Sequence, residues 1–227
     1  MEIDASSPAS DLAALFQHTA WRYRNCGRFA HSYVAAKLHR DPVNREILTL
    51  AKKEAFGDVV DIGCGRGQLG VALLEAGLAE SVVSLDRHAG LVEQARRAAA
   101  GLAFSAVVQD LAVCQDVPSA MTVLLIDVLY QLEPPVQMAL LHAAVRASRQ
   151  RIIIRTLDPD LGIRSSLTVW LERLLRGVSP HSGRHVAACP VSCIVRVLNE
   201  AGFITSVVPC WQGTPFANVL IVGRTIA

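Results

Sequence analysis

A chain of 227 residues, 52% apolar and 19% charged, is long enough to bury a full core and falls within the usual size of one domain. Its formal net charge of +2 excludes a strong general attraction to nucleic acid or to an acidic membrane. Charged residues interrupt every apolar run before it reaches about 18 residues, so no membrane-spanning helix is expected. Six scattered cysteines, and acids where a secretory leader carries positive charge, point to a reducing, cytoplasmic setting.

The first fifty residues read as a helical extension or lid, and residues 51–227 as the main domain. Within the extension, Trp21, Tyr23, Phe29, His31 and Tyr33 precede the core. They form either a lid over a flat substrate or the packed face of an amphipathic helix. Strand-like and helix-like runs then alternate. "DVVDI" (58–62) is a strand and "QLGVALLEAG" (68–77) a helix with Gly77 as its stop. "SVVSLD" (81–86) is a strand, "HAGLVEQARRAAAG" (88–101) a helix, and "FSAVVQD" (104–110) a third strand. "MTVLLID" (121–127), the proline-led helix at 134–148 and "RIIIRTL" (151–157) continue the pattern. Helix 191–202 then leads to strands 203–210 and 218–225, joined without a helix and therefore antiparallel. The expectation is an α/β fold: a doubly wound, mostly parallel seven-stranded sheet ending in an antiparallel hairpin, with helices on both faces.

Residues 59–70, "VVDIGCGRGQLG", place glycines in the first strand-to-helix turn, at the carboxyl edge where doubly wound sheets bind ligands. Asp86 closes the second strand, where an acid can accept both hydroxyls of an adenosine ribose. Asp110 closes the third, where a carboxylate can accept from an adenine amino group. "GRGQLG" (65–70) also matches the dinucleotide fingerprint, but that register leaves Asp61 and Gly63 inside the strand and gives no reason for the acid. An acid at the end of the strand would repel a pyrophosphate and suits a ligand carrying an ammonium and a sulfonium, as S-adenosylmethionine does.

The run Asp61-Ile62-Gly63-Cys64-Gly65-Arg66-Gly67 resembles the acid-x-G-x-G-x-G motif of class I S-adenosylmethionine-dependent methyltransferases, and the resemblance extends over roughly residues 57 to 225. It implies that Asp61, Gly63, Cys64, Gly65 and Gly67 hold the methionine part of S-adenosylmethionine and Asp86 the ribose. Asp110 and the Leu111 backbone would hold the adenine, and Asp127 would face the methionine end and substrate. Arg87 stands where the family more often has an apolar residue for adenine stacking.

Substrate class is less constrained. The fourth strand ends in "DVLY" rather than the proline-aromatic signature of base-amine methyltransferases, which disfavours nucleic acid and favours a small molecule, either aromatic or an acyl group on a carrier. Tyr130, His31 and Tyr33 are candidate general bases by location, with His31 best placed by its ordinary pKa near 6.5 unless it is structural. His181, His185, Cys189 and Cys193 recur every four residues, but their span along a helix is too long for one ion, so no metal is expected. The segment 176–190 reads as a loop near the substrate mouth. Arg155, Arg164, Arg173, Arg176, Arg184 and Arg196 outnumber nearby acids, which could dock an acidic acyl carrier protein. The competing functions are an NAD-dependent oxidoreductase and a non-catalytic binding protein of the methyltransferase fold.

Overall fold

The computed structural model describes residues 8–159, 188–212 and 217–225. Seven strands form one sheet in the order β3-β2-β1-β4-β5-β7-β6. They are β1 (Asp58–Ile62), β2 (Ser81–Asp86), β3 (Phe104–Val108), β4 (Ala120–Ile126), β5 (Ser148–Leu157), β6 (Phe203–Pro209) and β7 (Asn218–Thr225). β1 lies parallel between β2 and β4, whereas β7 runs antiparallel to both β5 and β6. The order reverses direction between β1 and β4, and the ends of these two strands open the crevice that such a switch point creates. Several boundaries differ from the sequence pattern. β3 stops at Val108 and β4 at Ile126, so Asp110 and Asp127 lie two residues and one residue beyond them, and β5 starts early, at Ser148, with a bulge between Ala120 and Thr122 in its pairing with β4.

The period-2 pattern of the strands decides what each face carries. Val60, Ile62, Val123, Leu125, Ile152 and Ile154 pack in one core with α6 (Pro134–Ala147) and α7 (Val191–Glu200). Their neighbours Val59, Leu124 and Ile153 face the other way, toward α1 (Pro8–Arg22), α2 (Arg28–Arg40), α3 (Pro42–Lys53) and α4 (Gln68–Glu75). α5 (Ala89–Ala98) covers β3 through Val92, Ala95 and Ala106. The N-terminal helices share their core with the sheet, since Phe16, Val34, Leu38, Ile47 and Leu48 join Val59 and Leu124 in one cluster. None of the described helices is long and apolar enough to cross a membrane.

The same alternation puts Arg151 and Arg155 of β5 on the face that carries α3, and each holds one end of that helix. Asp41 is the N-cap of α3, accepting from Val43 N at 3.2 Å ahead of Pro42. Its carboxylate takes Arg155 Nη1 at 2.6 Å and Lys37 Nζ at 2.6 Å. Glu54, at the other end, accepts Arg151 Nη2 at 3.0 Å and Arg224 Nε at 2.9 Å. Arg155 is only 3% exposed, so it belongs to this clasp and is not one of the entrance arginines expected from the sequence. Arg164, Arg173, Arg176 and Arg184, and most of the segment 176–190, lie outside the described residues.

Removing the buried Arg155 leaves the carboxylates of Asp41 and Asp127 to share the single cation of Lys37. The Arg155→Met protein should lose about 3–5 kcal/mol of stability in urea unfolding, whereas Arg196→Met on the exposed face of α7 should change it by less than about 0.5 kcal/mol.

Candidate functional site

The turn after β1 is stitched together by its own amides. Gly63 N and Cys64 N both donate to Leu85 O, at 2.7 and 3.1 Å, and Gly67 N donates to Cys64 O at 2.9 Å. Gly63 and Gly65 have φ of 72° and 57°, in the left-handed region that a side chain disfavours. A Cβ on Gly63 would also collide with Val128, whereas a Cβ on Gly65 would project into open space. Gly65 thus leaves bare backbone facing the cleft, as a cradle for a ligand requires. Gly67 serves packing, because its Cβ would press on Ala95 and Phe104. The turn is also held from the N-terminal side: the buried Tyr23 hydroxyl donates to Arg66 O at 2.7 Å. Burial raises the Tyr23 hydroxyl well above its ordinary pKa, which keeps it a donor.

Two adjoining clefts open on this turn, with about 530 and 730 Å³ of empty space, open solvent at the mouth included, and they share Gly63 and Gln131. The first collects Asp86, Arg87, Asp110 and Leu111, together with His88 and Gln109. The second collects Asp61, Cys64, Gly65 and Asp127, together with Tyr33, Lys37 and Asn44. Of the ten residues expected to contact a cofactor, only Gly67 lines neither cleft.

Among the expected bases the structure separates three environments. Tyr33 lines the second cleft and is 41% exposed. His31 lies two residues away on α2, about 200° round the helix, and faces Trp21 with ring centroids 6.4 Å apart, lining neither cleft. Tyr130 is buried in the short turn after β4 and also lines neither. Among the described residues no group of three or more His, Cys, Asp or Glu is placed to hold a metal, and His181 and His185 lie outside them.

The three strand-end acids have different electrostatics. Asp86 braces the site: Oδ2 accepts from Gly65 N at 2.8 Å and Oδ1 from His88 N at 2.8 Å. Asp127 is part of the buried clasp, with Oδ2 3.3 Å from Arg155 Nη1 and 3.9 Å from Lys37 Nζ. It adopts φ 63°, unusual for a residue with a side chain, and its Oδ1 is buried without a partner among the described residues. Asp61 is 3% exposed and has no hydrogen bond or ion pair among them. Burial, and then the charge of Asp86, push its carboxyl up to about 7. An isolated buried carboxylate beside an open cradle is a site for a cation.

The sequence reading missed Lys37, Asp41, Asn44, His88 and Gln131. Lys37 carried a faint signal, being one of only three lysines in the chain and four residues from Tyr33 on the same helix. Gln131, whose side-chain amide donates to the Asp127 carbonyl, carried none.

Residues 59–151 match the methyltransferase domain family. The magnesium protoporphyrin IX methyltransferase ChlM of Synechocystis PCC 6803, solved with bound S-adenosylhomocysteine, superposes with a TM-score of 0.62 at 19% identity, over 96% of this chain and 100% of that one. The N-methyltransferase NodS of Bradyrhizobium japonicum WM9, also solved with S-adenosylhomocysteine, gives 0.60 at 16% identity, over 94% and 99%. The pyocyanin biosynthetic protein PhzM gives 0.61 at 25% identity, over 93% of this chain and 62% of its own. No curated protein sequence matches the chain. Residues 59–151 thus carry a methyltransferase domain, and the chain shares the fold of class I, Rossmann-like S-adenosylmethionine-dependent methyltransferases.

The state of Asp61 can be tested through stability. Its folded pKa of about 7 lies above the ordinary 3.8, so the stability this group contributes is present below pH 3.8 and is lost as pH rises through 7. The Asp61→Asn protein, which has no such charge to bury, should therefore gain stability over the parent as pH rises from about 4 to 8. Urea unfolding across that range should show a gain on the order of 1–4 kcal/mol.

Proposed function

We propose that the two clefts together bind S-adenosylmethionine and that the protein transfers its methyl group to a small molecule. The observation that carries this reading is Asp61, a buried carboxylate with no cation of its own, standing beside the bare backbone of Gly65. A dinucleotide would bring a pyrophosphate to that carboxylate and meet like charge. In this reading Asp61, Gly63, Cys64 and Gly65 hold the methionine part. Asp86 and His88 lie toward the ribose, and Asp110, Leu111 and Arg87 line the adenine end. The bound cofactor supplies an electrophilic methyl group on a good leaving group.

What remains for the chain's own residues is alignment and proton handling. The acceptor enters the second cleft between α2 and the end of β4. There Asp127 Oδ1 is a carboxylate oxygen with no partner among the described residues, able to accept a hydrogen bond from an acceptor hydroxyl or amine. Lys37 stays charged, because Asp127 and Asp41 outweigh the effect of burial, and it acts as a donor rather than a base. Tyr33 lies on the wall of the same cleft, whereas His31 and Tyr130 do not line it. A small-molecule acceptor agrees with the magnesium protoporphyrin IX named for one structural neighbour. Arg155, one of the arginines that could dock an acyl carrier protein, is consumed by the clasp, which favours a freely diffusing acceptor.

Calorimetric titration with S-adenosylmethionine should show one-to-one binding, and titration with NAD should show none. Asp86→Ala and Asp110→Ala should each weaken S-adenosylmethionine by roughly 1–3 kcal/mol while the proteins stay folded. Unchanged affinity in both would sink the assignment. Mass spectrometry after incubation with methyl-labelled cofactor and metabolite extract identifies the acceptor. Carrier-bound and free forms of that acceptor, compared at low and high salt, should react with no salt-dependent preference for the carrier.

A further inference from the structure

We propose that the methyl acceptor is a planar anion, whose rings stack on an aromatic ledge formed by Phe29 and Tyr33 and whose anionic group pairs with Arg66. The inference rests on reading the second cleft as the acceptor site of a methyltransferase. It specifies what that site selects.

Phe29, Tyr33 and Lys37 stand at i, i+4 and i+8 on α2 and so form one stripe along the helix, leading from its outer end into the cleft. The stripe is not needed for the core. Ala30, Val34 and Leu38, all 2% exposed or less, already supply the packing face of α2, while Phe29 is 74% exposed and Tyr33 41%. The two rings stack 6.2 Å apart with an interplanar angle of 29°, and together they keep aromatic surface exposed along α2.

Arg66, from the glycine turn, closes this surface against the cofactor side. Its guanidinium lies 4.4 Å from the Tyr33 ring centroid and 5.5 Å from that of Phe29. Only Nε is committed, donating to Gln94 Oε1 at 2.9 Å, and the terminal nitrogens have no partner among the described residues. A planar fork with free donors, held over aromatic rings, matches a carboxylate or phosphate attached to a ring. The surrounding charge has the same sense. Residues 12–40 contain Arg22, Arg24, Arg28, Lys37 and Arg40 and no acid. Of the acids deeper in the cleft, Asp41 and Asp127 are balanced by Lys37 and Arg155, and Asp61 is the one left for the cofactor's cation. A flat anion is therefore attracted at the mouth and stacked before its nucleophilic atom reaches Asp127.

The test titrates protein saturated with S-adenosylhomocysteine against 1-hydroxy-2-naphthoate and its neutral amide, 1-hydroxy-2-naphthamide. The naphthoate should bind at least about tenfold more tightly at low salt. Arg66→Met, and as a second variant Arg66→Gln, should abolish that preference. Phe29→Ala should weaken both ligands by about three- to tenfold and leave their ratio unchanged. Affinity for S-adenosylhomocysteine, measured separately, should stay within about threefold in every variant, because these side chains serve the acceptor. Equal binding of naphthoate and amide by the parent protein overturns the proposal. So does a preference that survives both Arg66 changes. A large loss of S-adenosylhomocysteine binding in Arg66→Met overturns it too, since the guanidinium would then serve the cofactor. Failure of the parent to bind S-adenosylhomocysteine at all counts against the methyltransferase reading alone, and the naphthoate preference of the cofactor-free protein still judges the ledge.

Discussion

Arg155 lies at the carboxyl edge of the sheet and binds two acids that belong to different layers: Asp41 at the start of α3 and Asp127 at the end of β4. With Lys37 from α2 this makes a partly buried cluster of two cations and two anions, with Arg155 at its centre. Much of the site follows from it. It seats the N-terminal helices over the switch point between β1 and β4, which gives the second cleft its outer wall. It also helps to hold Asp127 at a positive φ with one carboxylate oxygen unpartnered. Withdrawing these charges from water is worthwhile only when each finds a partner, so the cluster specifies one position for α2 and α3 rather than a range of them.

Against that cluster, Asp61 shows the opposite use of a buried acid. Asp41 feels the same desolvation, but Lys37 and Arg155 outweigh it and hold its carboxyl below the ordinary range. Asp61 has no such neighbours, and Asp86 adds a second negative charge, so its carboxyl is pushed up to about 7. The protein thus satisfies Asp41 and Glu54 internally and leaves one buried acid, Asp61, without a cation among the described residues. Asp86 stands between the two kinds: both of its oxygens already accept backbone amides, yet it lines the first cleft and keeps lone pairs for a further donor. Its first structural effect is to hold Gly65, and through Gly65 the shape of the cradle.

The strands were legible because their patterns are local. β1, β2 and β7 begin and end where the apolar runs do, since each run is bounded by turn residues. The glycine turn and its acids were legible for a similar reason: strand ends of a doubly wound sheet converge on one edge whatever lies between them. The clasp was not. Nothing in "RIIIRTL" distinguishes Arg155 from an exposed arginine until the odd positions of β5 are known to face α3. His31 and Tyr33 looked equivalent in the sequence, but two residues along a helix place them on nearly opposite sides. Gln131 reaches the junction of the clefts through a short helical turn after β4, a geometry with no periodic signature.

The account turns on Asp61 being an acid that waits for a cation, and this can be observed directly. Carbon-13 labelling of the aspartate carboxyls, with the Asp61 signal assigned by its loss in Asp61→Asn, permits a titration of that one group with and without S-adenosylmethionine. The account predicts a midpoint near 7 in the free protein. It predicts a shift to well below 7 when the cofactor is bound, as an opposite charge beside the carboxylate demands. A midpoint near the ordinary 3.8 in the free protein, or one that does not move when the cofactor binds, would contradict it.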